Sequence, residues 1–136
     1  MSKNGKIIII GGGASGLAAA LAAAKECGGR CVTVLERLDR VGKKLLATGN
    51  GRCNLTNRNA APEHYHSADT ARLADILERT PPDAVLDFFG EMGLLCDTQA
   101  DGRVYPYCYQ ASMVLDVLRA ALERAGVDVA CSCEVA

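Results

Sequence analysis

The sequence lacks an excess of charge of either sign, with 15 Lys and Arg residues against 16 Asp and Glu residues and a net charge of -1. Proteins that bind nucleic acid usually concentrate their basic residues in a patch or stripe. The nearest approach to such a group is spread through one loop, at Arg37, Arg40, Lys43, Lys44 and Arg52. These residues can form a solvated basic surface or a set of phosphate contacts. The charge balance therefore predicts no nucleic-acid partner.

The sequence also lacks the cysteine spacing of a metal or redox motif. Its seven cysteines include no C-x-x-C pair, which argues against a zinc ribbon or a thioredoxin-type site. They lie at positions 27, 31, 53, 96, 108, 131 and 133. His64 and His66 have no further ligand at a recognisable spacing, so no metal site is predicted. Free thiols in a reducing cytosol are the simplest account, and we expect a cytoplasmic protein.

Long apolar runs are absent as well. A membrane helix needs roughly 20 apolar residues, whereas the alanine-rich segment 17–24 is short and is followed by Lys25 and Glu26. The apolar residues after Lys6 lead into glycines and not into a cleavage site, so no signal peptide is predicted. We expect neither membrane insertion nor secretion.

Residues 6–36 carry a strand–turn–helix–strand pattern. Four consecutive isoleucines at 7–10 predict a strand that is buried on both faces, as in a parallel sheet. Glycines follow, and then an alanine-dense helix over 17–27 that ends at Gly28 and Gly29. Residues 31–35, with the sequence CVTVL, predict a second strand. This βαβ unit predicts an α/β fold, a Rossmann-like FAD- or NAD(P)-binding domain with a parallel sheet.

The glycines of this unit have the spacing of a dinucleotide site. The pattern Gly-x-Gly-x-x-Gly is weak evidence alone, but here it follows a predicted strand and opens a predicted helix. Gly11 permits the tight turn, Gly13 lets a pyrophosphate approach the backbone, and Gly16 lets the helix pack against the strand. The N–H groups of the first helical turn would bind the phosphates. Glu36, about 20 positions past Gly16, can accept hydrogen bonds from the ribose hydroxyls and disfavours a 2′-phosphate.

The remaining sequence predicts a long loop and several short elements. Residues 37–62 lack periodicity, which is typical of a functional loop. Residues 67–126 predict a helix at 68–79, a second helix from Pro82 to Gly93, a hairpin around Gly102 and an amphipathic helix at 112–124. Residues 127–136 predict a closing strand with Cys131 and Cys133 on one face. So few strands cannot cover both faces of a sheet, so we expect residues 1–136 to be an incomplete domain, the N-terminal part of a longer protein.

Four segments resemble the BaiN/YhiN-like bacterial flavoproteins, a family of FAD-dependent oxidoreductases. They are GGGASGLAAA at 11–20, LER at 35–37, GKKLLATGNGRCNLTN at 42–57 and DGRVYPYCYQASMVLDVL at 101–118. The resemblance extends over nearly the whole chain, but family members are considerably longer. In the family, the segment matching 103–112 more often has Phe-Pro followed by small polar residues, so no substrate-facing role is assigned to Tyr105 or Gln110.

The resemblance implies a set of FAD-binding residues in three groups. The pyrophosphate would lie on Gly11, Gly13, Ala14, Ser15 and Gly16, and the adenosine ribose on Glu36 with Arg37 beside it. The flavin-side loop would contribute Lys44, Thr48, Gly49, Gly51, Arg52, Cys53 and Asn54, and the backbone of Val135 would contact the adenine. Backbone N–H groups of the Gly-x-Gly loop could tune the flavin, and Arg52 could neutralise a phosphate or the charge on a reduced flavin. A surface turn built from Asn and Gly is the alternative for this loop.

The resemblance also implies a function. It indicates hydride transfer through the flavin, with NAD(P)H as the candidate electron donor and a small molecule as the substrate. A nucleotide-binding module without catalysis and a flavoprotein that acts on RNA are the alternatives, and the charge balance counts against the latter. Disulfide reductases carry two cysteines four residues apart near this loop, but Cys53 has no such neighbour, so a packed thiol is expected. No catalytic acid or base is identified.

Overall fold

Two three-stranded sheets organise residues 5–136, the part of the chain that the computed structural model describes; residues 1–4 lie outside it. The first sheet consists of β1 (Ile7–Ile10), β2 (Val32–Leu35) and β6 (Asp128–Ala130). The second consists of β3 (Thr56–Asn57), β4 (Cys96–Thr98) and β5 (Arg103–Pro106). The helices are α1 (Ala14–Cys27), α2 (Lys43–Ala47), α3 (Thr70–Arg79), α4 (Pro82–Glu91) and α5 (Ala111–Ala125).

The first sheet is parallel throughout, in the order β1-β2-β6. Val34 in β2 pairs with Ile9 on one side and with Val129 on the other. The helices α1 and α5 pack against each other and form one core with β2, in which Leu17, Val34 and Leu118 are at most 1% exposed. Helix α1 lies between the parallel strands β1 and β2 along the chain, and such a crossover is the connection that parallel strands need. The predicted α/β, Rossmann-like fold is confirmed.

The prediction that β1 is buried on both faces is wrong for the described residues. Ile7, Ile8 and Ile10 are 39%, 59% and 69% exposed, and only Ile9 packs against the core. The strand lies at the edge of the sheet, because β2 is its single neighbour. A continuous apolar run indicates that a strand is suited to burial on both faces. The strand is buried only where other elements of the protein pack on those faces.

The predicted loop 37–62 contains regular structure. The short helix α2 begins after Gly42, whose φ of 76° is left-handed, and it buries Leu45 against the core. Strand β3 pairs with β5 and extends the predicted hairpin to a third strand. A helix of five residues and a strand of two are too short to produce a recognisable period.

The other predicted elements are present with small shifts of their ends. Helix α1 begins at Ala14, three residues before the predicted start. Helix α3 begins after Asp69, whose carboxylate accepts the Arg72 N–H at 2.9 Å. Helix α5 ends at Gly126, which has a φ of 76°. None of the helices within residues 5–136 combines the length and the apolarity that a membrane crossing requires.

The predicted closing strand 127–136 is a strand only over Asp128–Ala130. Cys131 and Cys133 therefore do not share the face of a strand, and the positive φ of Ser132, 55°, turns the backbone between them. The chain nevertheless stays beside the residues that follow β2: Ser132 N–H donates to Leu38 O at 2.8 Å and Cys133 N–H to Glu36 O at 2.9 Å. Val135 lies beyond these contacts and is 46% exposed.

Candidate functional site

The glycine turn between β1 and α1 is anchored to the end of β2. Gly11 has a φ of 100°, and its N–H donates to Leu35 O at 2.8 Å. A Cβ added to Gly16 would overlap the carbonyl oxygen of Gly11. Glycine at position 16 therefore allows α1 to begin directly against the turn, which is the packing role that the spacing predicts.

The start of α1 is open. A Cβ added to Gly13 would meet no heavy atom of the described residues within 4 Å, and Ala14 and Ser15 are exposed. The first N–H groups of a helix have no partner within it, and no side chain of residues 5–136 caps this end. The first turn also has no acidic residue. This helix end therefore presents backbone donors and a positive partial charge to open space, which fits a pyrophosphate.

Glu36 lies beside this opening with its carboxylate held by backbone amides. It is 9% exposed, and its Oε2 accepts the Gly12 N–H at 2.7 Å while its Oε1 accepts the Leu38 N–H at 2.9 Å. The Leu38 and Gly12 hydrogen bonds lower the pKa of Glu36, and the charge of the exposed Arg37 adds to this effect. A carboxylate has about four lone-pair sites, so acceptor capacity remains for ribose hydroxyls.

Gly12 and Val41 complete this part of the site, and neither was among the predicted site residues. A Cβ added to Gly12 would overlap the side chain of Val41, which is 4% exposed. The carbonyl oxygen of Gly12 accepts the Gly42 N–H at 2.8 Å. Gly12, the middle one of three consecutive glycines, was the available signal for this close approach.

Residues 48–54, here called the flavin-side turn, follow α2 directly. Gly49 and Asn50 are both left-handed, each with a φ of 56°, and Gly51 has a φ of 80°. A Cβ added to Gly49 would lie 2.8 Å from the Asn54 backbone nitrogen. The turn therefore folds tightly on itself, and the need for glycine at position 49 is both conformational and steric.

The side chain of Asn54 binds the end of the flavin-side turn to the second sheet, and the neighbouring Cys53 is buried. With its amide oriented to satisfy both partners, Asn54 donates to Val104 O at 3.0 Å and to Thr56 O at 2.9 Å. Cys53 is 6% exposed, and its N–H donates to Thr48 O at 3.0 Å. Burial raises the pKa of the Cys53 thiol, although a hydrogen bond with Thr48 partly offsets this. The environment is that of a packed thiol.

Arg52 is half-buried and held in place from two sides. Its Nε donates to Gly49 O at 3.2 Å, and its Cζ lies 4.8 Å from the centre of the Tyr105 ring. Tyr105 is 2% exposed and lies in β5. No role was predicted for Tyr105, since its segment departs from the family pattern, and nothing in the spacing of Arg52 and Tyr105 indicates that they meet.

The predicted site residues fall into two groups that α2 connects. The first combines Glu36 with the glycine turn, and the second is the flavin-side turn. Helix α2 leads from Gly42, which is hydrogen-bonded to the glycine turn, to Thr48. Lys44 is exposed on α2, and Arg37 is exposed just after β2. Val135 is 46% exposed, and within residues 5–136 no loop hydrogen bond of its backbone joins it to Glu36 or to the turns.

Comparison with known proteins gives matches along the whole described chain. The family model described as HI0933-like protein Rossmann domain matches residues 5–136. The chain is 43% identical over 124 residues to the 3-dehydro-bile acid delta(4,6)-reductase of Clostridium scindens, and this covers 91% of the chain and 30% of that protein. It is 30% identical over 136 residues to the ribosomal RNA dihydrouridine synthase of Haemophilus influenzae, covering 99% of the chain and 33% of that protein.

A solved structure supports the fold. The crystal structure of THI4 from Thermovibrio ammonificans superimposes with a TM-score of 0.58 at 20% identity, covering 93% of this chain and 38% of that one. The chain spans about a third of the length of these curated relatives.

Proposed function

The chain belongs to the HI0933-like Rossmann-domain family, and from this premise we propose that it is the FAD-binding part of a flavin-dependent reductase. The resemblance to BaiN/YhiN-like flavoproteins is thereby confirmed, and one relative is named as a reductase. We further propose NAD(P)H as the electron donor, a small molecule as the substrate and the cytoplasm as the location.

The observation that carries the proposal is the position of Glu36 beside the open start of α1. Its carboxylate is fixed by the Gly12 N–H at 2.7 Å, while the space in front of Gly13 is free of heavy atoms of the described residues within 4 Å. An adenosine ribose on Glu36 and a pyrophosphate on the amides of Ala14 and Ser15 would suit this arrangement.

The chain's own residues would bind and orient the cofactor. The glycine turn and Glu36 would hold the nucleotide end, and the flavin-side turn would supply backbone donors and Arg52 to the ring end. The bound flavin would supply the redox chemistry by accepting a hydride and passing it on. The buried Cys53 would support the turn by packing.

The names of the relatives indicate a shared substrate chemistry. A 3-dehydro-delta(4,6) steroid has a ketone conjugated with ring double bonds, and dihydrouridine is uridine with a saturated ring double bond next to a carbonyl. We propose that this protein also reduces a carbon–carbon double bond conjugated with a carbonyl group. The greater identity to the steroid reductase and the net charge of -1 favour a small molecule.

Reduction of RNA is the second candidate, because two relatives, from Haemophilus influenzae and Escherichia coli, are named ribosomal RNA dihydrouridine synthases.

The test is to express the full open reading frame, to measure bound FAD, and to follow anaerobic bleaching by NADH and NADPH. Reduced protein is then offered a conjugated dienone steroid or ribosomal RNA. A folded protein that copurifies without FAD and does not bind added FAD contradicts the proposal, and dihydrouridine formation without enone reduction selects the second candidate.

A further inference from the structure

We propose that Tyr105 is a positioning residue that fixes the guanidinium of Arg52 in the flavin-side turn, so that its positive charge raises the reduction potential of the bound flavin. The inference rests on the proposed function, since it needs FAD beside this turn. It adds a role for a residue of the second sheet that contacts the cofactor only through Arg52.

Arg52 has an unusual environment among the cations of the described chain. Arg52 and Lys43 are the only Lys or Arg residues within 5–136 that are not exposed. Lys43 pairs with Asp39 at 2.6 Å. Arg52, in contrast, forms no ion pair with any described residue. A half-buried cation without a carboxylate is costly, and an electron-rich ligand at the turn would compensate for this cost.

The guanidinium of Arg52 is held in place while its terminal nitrogens stay available as donors. The Nε atom donates to Gly49 O at 3.2 Å, and the Tyr105 ring lies 4.8 Å from Cζ. Within the described residues, the terminal nitrogens donate no hydrogen bond. A guanidinium stacked on an aromatic face keeps its outer donors free for planar acceptors. These donors are suited to the carbonyl and nitrogen acceptors of a flavin ring.

Tyr105 is held in place by burial and by strand pairing. It is 2% exposed and is paired with Asp97 in the adjacent strand β4. Its hydroxyl accepts a hydrogen bond from Arg103 at 3.4 Å, and its ring lies 5.7 Å from that of Tyr109. The ring is therefore a fixed platform, and the aromatic face, not the hydroxyl, is what contacts Arg52.

The experiment is a measurement of the flavin midpoint potential in the FAD-loaded protein from the full open reading frame. A positive charge near the ring favours the more negatively charged, reduced form. Arg52→Gln should lower the potential, and Tyr105→Leu should lower it by about 30 mV, the equivalent of a tenfold change in a two-electron equilibrium. Tyr105→Phe is the matched control, because it keeps the ring and loses only the hydroxyl, and it should retain the wild-type potential.

A double variant separates positioning from a merely structural role. If Tyr105 acts through Arg52, then Tyr105→Leu added to Arg52→Gln should lower the potential no further than Arg52→Gln alone. An unchanged potential in FAD-loaded Tyr105→Leu overturns the inference. So does a decrease in potential on Tyr105→Leu that is equal in the wild type and in Arg52→Gln. If Tyr105→Leu does not fold, Tyr105→Met provides the same comparison. A wild-type protein that binds no FAD contradicts the proposed function instead.

Discussion

The backbone amide of Gly12 donates a hydrogen bond of 2.7 Å to Oε2 of Glu36, and this contact joins the end of β2 to the turn before α1. One carboxylate thus orders the turn and faces the space where a ribose would lie. We expect Glu36→Gln to lower FAD affinity by about tenfold to a hundredfold, because hydrogen bonds to a charged acceptor contribute roughly 1.5–3 kcal/mol. Fluorescence titration of the apoprotein measures the effect. Glu26→Gln, at an exposed position on α1, is the control and should bind like the wild type; equal affinity in both variants would contradict the ribose assignment.

The same hydrogen bonds predict a pH dependence of stability. The amides of Leu38 and Gly12 lower the pKa of Glu36, so its contribution is present above the ordinary glutamate pKa of about 4.3. It is lost as the pH falls through the lower pKa of the folded state. The free energy of unfolding, measured in urea, should therefore be larger for the wild type than for Glu36→Gln at pH 6. The difference between the two should shrink below about pH 4.3. A difference that is constant down to pH 3 would show that the lowered pKa does not stabilise the fold.

Alanine substitutions at Gly16 and at Gly13 should have different effects, the first on stability and the second on FAD affinity. A methyl group at Gly16 would overlap the Gly11 carbonyl, so Gly16→Ala should destabilise the protein by about 1–3 kcal/mol, as overpacking does. A methyl group at Gly13 enters open space, so Gly13→Ala should leave the melting temperature nearly unchanged and lower FAD affinity. Thermal unfolding and FAD titration of both variants test this. Unaltered FAD binding in Gly13→Ala would place the pyrophosphate elsewhere.

The local parts of this fold were predictable from the sequence because their signals are local. The consecutive isoleucines specify β1, the spaced glycines specify the turn, and the alanine-rich segment specifies α1. Each signal lies in the element that it specifies. The positive φ of Gly126 likewise ends α5 where a glycine predicts it. Such features depend on propensity and capping, and distant residues change them little.

Features that depend on distant residues were not predictable. The stacking of Arg52 on Tyr105 joins a turn to a strand far along the chain, and no period links the two. The positive φ of Ser132, two residues after the last residue of β6, is rare for a serine. The exposure of β1 depends on what covers the sheet, which its isoleucines cannot specify.

The buried Cys53 should be chemically inert compared with the exposed cysteines. Burial raises the pKa of its thiol, and the thiolate is the reactive form. We expect iodoacetamide at neutral pH to modify the exposed Cys108 first, with Cys53 protected until the protein unfolds. Peptide mass spectrometry over time measures the order. Modification of Cys53 as fast as Cys108 would indicate an accessible, functional thiol in the flavin-side turn.

The exposure of β1 can be tested by comparing two threonine substitutions in neighbouring strands. Ile10 is 69% exposed, whereas Val34 is fully buried in β2. Threonine is β-branched, so strand propensity changes little in either variant. In the 136-residue chain, Ile10→Thr should change the free energy of unfolding by no more than about 0.5 kcal/mol. Val34→Thr should cost about 1–3 kcal/mol, because a hydroxyl enters the core. Urea unfolding at two protein concentrations gives both values. A large cost for Ile10→Thr that grows with concentration would mean that a second copy of the chain covers the isoleucine edge, since an unpaired apolar strand is a template for association.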